Sequence, residues 1–217
     1  MTSKTFVLIF LCGLCVFAFY SIAIAAAPSD TPACYDDARF LVVSKNTLLP
    51  PDFVPTDLTL LRNFDVPVWG RQEMELRVDA AAAYHSLVFA ARNDGHRLLA
   101  VSGFRSYEYQ RVTFASWVQK ELRWAQENDE EIDRATAVAR ASRYSAMAGQ
   151  SEHQLGTAID VSTPELNGEL TGELLLTPAG RWLWAHAHEH GFVMSFPPYK
   201  EKLTGFQGEP WHLRWVG

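Results

Sequence analysis

The sequence predicts an α+β domain, and three observations carry that expectation. Helix-period segments dominate the first half, short strand-like runs collect in the second, and neither an internal repeat nor a composition break marks a second domain. With 217 residues, 48% of them apolar and 20% charged, there is enough chain for one globular domain with a sizeable core. That apolar fraction, with 13 glycines and 11 prolines, excludes collagen-like and disordered classes, and three cysteines are too few for a disulfide scaffold. A balance of 19 basic against 25 acidic side chains, net charge −6 and with no basic run, argues against nucleic acid or an anionic membrane surface as the main partner.

The elements follow in chain order. Lys4 precedes an apolar run from Phe6 to Ile24, and Ala23-Ile24-Ala25 ends it with a small-x-small pattern. Residues 1–25 therefore read as a secretory signal, with a retained membrane anchor as the alternative. Cleavage would remove Cys12 and Cys15 and leave Cys34 as a lone thiol, to which no catalytic role is assigned. Residues 26–44 form an N-terminal leader, and residues 45–217 are expected to form the functional domain. Leu48 to Pro55 holds three prolines and reads as an extended, turn-rich segment. Gln72 to Asn93 carries Leu76, Ala80, Ala83, Leu87 and Ala90 at helical spacing, with Gly95 as its stop. Arg97 to Val101 is a buried strand, after which Ser106 can cap a helix that buries Phe114, Trp117, Val118 and Leu122. A further helix covers roughly Glu131 to Tyr144, and Gly149 to Gly156 is loop. Thr157 to Val161 alternates as a strand, with Thr157, Ile159 and Val161 on one face and Asp160 on the other. Thr177 caps a helix with Pro178 at its first position and Gly191 at its end. Strands at Phe192 to Phe196 and Trp211 to Val216 complete the domain.

Three fragments carry the chemistry: Ser102 to Gln110, Ser151 to Asp160, and Glu209 to Gly217. His153, Asp160 and His212 supply two imidazoles and one carboxylate, a set suited to Zn²⁺ with a fourth position left for water, as in catalytic sites. Gly156 lets the loop from His153 turn back toward Asp160. Glu209 stands three residues before His212, and a carboxylate beside a metal-bound water can take its proton. Arg105 adds a fixed positive charge for a carboxylate or a developing oxyanion. Each feature alone recurs by chance; their ordered combination does not. A competing cluster, His186-Ala-His188-Glu-His190, is read as a solvated helix end, since His186 and His190 share a face from which His188 points away. His190 would there be a cation favoured by the helix dipole.

The chain resembles the VanY-type zinc D-alanyl-D-alanine carboxypeptidases, whose patterns are SGYRS-x₃-Q, S-x-H-x₂-G-x-A-x-D and EPWH-x-RYVG. Ser102 to Gln110 fits with Phe104 for Tyr, Ser151 to Asp160 fits fully, and Glu209 to Gly217 fits with Trp215 for Tyr. Weaker agreement brings the likeness to roughly residues 45–217, with Ala148 standing where relatives often carry proline. The resemblance implies a single domain with a small antiparallel sheet flanked by helices, a D-Ala-D-Ala carboxypeptidase/hedgehog-like fold. It further implies zinc on His153, Asp160 and His212, Glu209 as catalytic base, and Arg105, with Gln110 and Ser151, facing the substrate. Trp211, beside His212, would wall the site.

The expected activity is removal of the terminal D-alanine from peptidoglycan stem peptides, by an exported enzyme of the periplasm or cell envelope. An L,D-carboxypeptidase, a D,D-dipeptidase or a peptidoglycan endopeptidase could be built on the same zinc site. A non-catalytic zinc-containing cell-wall-binding module is disfavoured, because a binder has no need of Glu209. Neither nucleic acid nor stable membrane insertion after signal cleavage is expected.

Overall fold

Four short strands form the central antiparallel sheet of the computed structural model, which describes residues 38–70 and 73–217. The expected signal segment and all three cysteines lie outside the described residues. In space the sheet runs β3 (Leu99–Ser102), β4 (Ala158–Ser162), β6 (His212–Trp215), β5 (Phe192–Met194). A separate hairpin pairs β1 (Leu58–Leu60) with β2 (Glu75–Arg77). The helices are α1 (Val78–Asn93), α2 (Tyr107–Glu127), α3 (Arg134–Ala141), α4 (Pro178–His186) and the single turn α5 (Glu201–Thr204).

The pleat divides the sheet into two chemically different faces. Ala100, Ile159, Val161, Leu213 and Phe192 point into the main core, where they meet Tyr84 and Leu87 of α1 and Leu183 of α4. Asp160, His212 and Arg214 alternate with those residues and so project from the opposite face. On that side α2 and α3 form a hairpin with its own apolar contacts, Val118 against Ala137 and Ala141, joined by Phe114, Trp117, Leu122 and Tyr144. The space between the polar sheet face and this hairpin is where a site can form.

Several local expectations hold for visible reasons. Ser106 caps α2 by accepting from the Tyr109 amide, and Thr177 caps α4 in the same way through Gly180, with Pro178 in its first turn. Others need correction. The segment expected to be helical from Gln72 begins its helix at Val78, because Glu75 to Arg77 pair with β1 instead. The buried Leu76 satisfies either pattern. Tyr84, Val88 and Ala91 face the core with Ala80 and Leu87, while Ala83 and Ala90 are only half-buried. The helix expected from Glu131 to Tyr144 is trimmed to Arg134–Ala141, since Asp133 caps it through the Thr136 amide. β4 is buried on both faces. Finally, α4 gives way to a 3-10 turn at Ala187–His190, with Gly191 closing it in the left-handed region.

Candidate metal centre and active site

Local backbone geometry delivers each imidazole to Asp160. Asp160 on β4 stands directly opposite His212 on β6, and His212 Nδ1 lies 3.0 Å from Asp160 Oδ1. His153 arrives from the 3-10 turn Glu152–Leu155, which Gly156 closes at φ 71°. A β-bulge between Ala100 and Ser102 ends the β3 ladder beside Asp160, and the chain then crosses β2 closely. At Gly103 a Cβ would come within 2.4 Å of the Glu75 carbonyl, so only glycine fits this crossing. The Gly103 carbonyl is thereby turned to accept from His153 Nδ1 at 2.7 Å.

The donor set fits a divalent ion. One ligand atom from each of His153, Asp160 and His212 lies within 4.8 Å of the other two, and all three residues are buried. With its Nδ1 proton given to Gly103, His153 presents a lone pair at Nε2. That nitrogen is buried without a hydrogen-bond partner, although Asp160 Oδ2 is 3.2 Å away. With His153 neutral, a cation shared between these two buried acceptors would relieve both, and two imidazoles with a carboxylate are a donor set that suits Zn²⁺. These residues are the one such ligand group among the described residues.

Burial and pairing set the charge states of the metal-free site. Burial, assisted by the charge of Arg105, lowers the His153 pKa to about 4, which leaves a neutral imidazole. Burial opposes ionisation of Asp160, but the adjacent His153 and His212 outweigh it and hold the carboxyl well below its usual range. For His212 burial again opposes the charged form; hydrogen bonds to Asp160 and Glu152 prevail and raise it to about 10. In Glu209 burial is the dominant influence, and its pKa rises to about 7.

A cavity of about 340 Å³ opens over this cluster, lined by Arg105, Gln110, Ser151, Glu209 and Trp211 as well as the three ligand candidates. Every candidate site residue from the sequence thus meets in one place. Glu209 is set by a turn in which its carbonyl accepts from the His212 amide, while its own amide donates to the Phe196 carbonyl. Arg105 is 21% exposed and places Nη2 3.9 Å from Asp160 Oδ2. Gln110 donates to the Ala146 carbonyl at 2.6 Å, which ties α2 to the loop after α3 and leaves its own side-chain oxygen without a partner. Trp117 and Tyr144, edge to face, join Phe196 and Phe206 in an aromatic wall.

Sequence reasoning gave Glu152 no role, yet it lines the cavity and touches His212. Its place as the open position between Ser151 and His153 was the signal available. The second histidine cluster stays apart: His186 pairs with Glu189, and His190 meets Ser86 at 3.1 Å. The helix gives way to a 3-10 turn at Ala187–His190, and burial lowers the His190 pKa from its ordinary value, against the helix-end cation expected there.

Comparison with known proteins gives a consistent picture. The family model described as "VanY: D-alanyl-D-alanine carboxypeptidase" matches residues 73–217. A D-alanyl-D-alanine carboxypeptidase of Enterococcus faecalis is 32% identical over 167 residues, covering 73% of this chain and 58% of that protein. The chain spans a little under three fifths of the length of the curated relatives it matches. Among solved structures, the LdcB LD-carboxypeptidase superposes with a TM-score of 0.69 at 33% identity, covering 81% of this chain and 75% of that one. A variant of the vancomycin-resistance D,D-pentapeptidase VanY, from a VanB-type cassette and in complex with Zn(II), superposes with a TM-score of 0.65 at 26% identity, covering 83% and 89%.

Proposed function

The chain belongs to the VanY family of D-alanyl-D-alanine carboxypeptidases, and from that premise we propose that it is a zinc-dependent D,D-carboxypeptidase that removes the terminal D-alanine from peptidoglycan stem peptides. The observation that carries this reading is the meeting of a His/Asp/His ligand set with a buried glutamate in one cavity. The metal would be held by His153, Asp160 and His212. When bound, it supplies Lewis acidity, which polarises a carbonyl and acidifies water.

The remaining work falls to the chain's own side chains. Glu209 takes a proton from the attacking water and passes it to the leaving D-alanine amine. Its elevated pKa, about 7, suits a group that must accept a proton and then release it. Arg105 pairs with the stem peptide's terminal carboxylate or with the oxyanion that develops at the scissile carbonyl. Its buried Nε has no hydrogen-bond partner, so the guanidinium retains donor capacity. Gln110 and Ser151 line the same cavity, where the unpartnered Gln110 oxygen accepts from a substrate N–H. Trp211 and the aromatic wall exclude water from the peptide bond. The substrate places the enzyme in the bacterial cell envelope, after export directed by residues 1–25. Among the described residues no helix is long and apolar enough to cross a membrane.

The similarity to LdcB supports a second reading, hydrolysis of an L,D bond by the same residues. Digestion of defined pentapeptide and tetrapeptide muropeptides, followed by mass spectrometry, separates the two. Loss of one D-alanine from the pentapeptide, abolished by chelator, is expected. Release from the tetrapeptide alone transfers the assignment to L,D cleavage. Release of an intact dipeptide transfers it to a D,D-dipeptidase, and separation of cross-linked stems to an endopeptidase. Activity indifferent to chelator rejects the metal site.

A further inference from the structure

Glu152 touches His212 on the side opposite Asp160. Its Oε2 is 2.9 Å from His212 Nε2, while His212 Nδ1 faces Asp160 at 3.0 Å. Ser195 Oγ donates to the same Glu152 oxygen at 2.6 Å, and Arg214 Nη1 lies 3.3 Å from the other. Arg214 is itself anchored, because its Nη2 donates to the carbonyls of Arg39 at 2.8 Å and Leu41 at 3.0 Å. A carboxylate only 12% exposed is thus satisfied on both oxygens and held from three directions.

An imidazole ligates through the nitrogen that lacks a proton, so whatever holds the proton at one nitrogen selects the other as donor. A carboxylate acceptor at Nε2 keeps the proton there and leaves Nδ1 as the nitrogen that can give up its proton to a metal, on the side where Asp160 and His153 converge. The bond also fixes the ring's rotation and makes the imidazole a stronger donor. The equivalent task for His153 falls to the Gly103 carbonyl.

We propose that Glu152 is a positioning residue of the metal centre, acting through His212, with Ser195 and Arg214 holding it in place. This inference rests on the reading of His212 as a ligand and goes beyond it by assigning what makes His212 competent. Zinc affinity of the full chain, measured by chelator competition, tests it, with the visible spectrum of the Co(II)-loaded protein as a second readout. E152A is expected to weaken zinc binding about 10- to 100-fold and to shift the Co(II) bands. E152Q, which keeps an acceptor oxygen, should lose less. If E152A fails to melt cooperatively, E152Q alone decides the question. In an H212A background E152Q should have no further effect on zinc affinity, since its route to the metal is gone. Unchanged affinity and spectrum in the single variants would overturn the proposal, as would an equal loss in both backgrounds. Zinc affinity indifferent to H212A itself would instead defeat the ligand assignment.

Discussion

Asp160 and His212 face each other across neighbouring antiparallel strands, with Oδ1 and Nδ1 3.0 Å apart. In the metal-free protein both ring protons of His212 are committed, one to Asp160 and one to Glu152, which is why its pKa rises to about 10 despite burial. A metal can take Nδ1 only if that proton leaves. Zinc binding at about pH 7.5 should therefore release about one proton per ion from His212. Titration calorimetry in two buffers of different ionisation enthalpy measures this; buffer-independent heat would contradict it.

Glu209→Gln removes the proposed base and keeps the side chain's size. Turnover should fall by about 10²- to 10⁴-fold, the usual range for a positioned general base. Zinc affinity should stay close to that of the unaltered protein, because Glu209 stands outside the ligand set. Equal losses in turnover and zinc binding would place Glu209 in the metal's support instead.

The same substitution has a pH-dependent effect on stability. Burial raises the Glu209 pKa from 4.5 to about 7 in the folded, metal-free protein. A folded state that holds its proton more tightly has this contribution in full below pH 4.5 and loses it as pH rises through about 7. At about pH 8 the charge must be buried, at a cost of up to about 3 kcal/mol. Metal-free Glu209→Gln should accordingly melt several degrees higher than the unaltered protein at about pH 8 and nearly level with it at about pH 5. Differential scanning fluorimetry at the two pH values reads the contrast; equal shifts at both would show that no buried charge is relieved.

Arg105→Lys keeps a positive charge but loses the planar fork and the Nε donor. A decrease in kcat/KM of about 10- to 100-fold is expected, the size of a lost charged hydrogen bond. A change confined to KM would place Arg105 on the substrate carboxylate, and one shared by kcat on the transition state. No change in either parameter would remove Arg105 from the mechanism.

Gly103→Ala tests the crossing that aims the Gly103 carbonyl at His153. Its new Cβ would lie 2.4 Å from the Glu75 carbonyl, and backbone there cannot yield cheaply. The overpacked chain should lose about 1–3 kcal/mol of stability, with weaker zinc binding as the carbonyl shifts. Urea unfolding of the metal-free protein gives the first quantity, and chelator competition the second.

The ligand candidates were legible because each stands in a short fragment, and the ordered combination of those fragments resembles the VanY pattern. Caps were equally legible: Ser106 and Thr177 act through their own local geometry, which sequence carries directly. Glu152 was not. Its partners His212 and Ser195 lie 60 and 43 positions away, Arg214 is as distant, and only the folded sheet brings them together. The β1–β2 hairpin escaped for a different reason. Leu76 is buried in a way that suits helix and strand alike, and long-range pairing to Thr59 decided between them. His190 shows the limit of local rules, since it sits in a 3-10 turn beyond α4 and meets Ser86, which is 104 positions away in sequence.

Anomalous diffraction at the zinc edge, from crystals of the full chain grown with the metal, measures the coordination itself. One peak within about 2.0–2.2 Å of His153 Nε2, His212 Nδ1 and an Asp160 oxygen is expected. A peak bound elsewhere, or one touching fewer than these three side chains, would contradict the assignment.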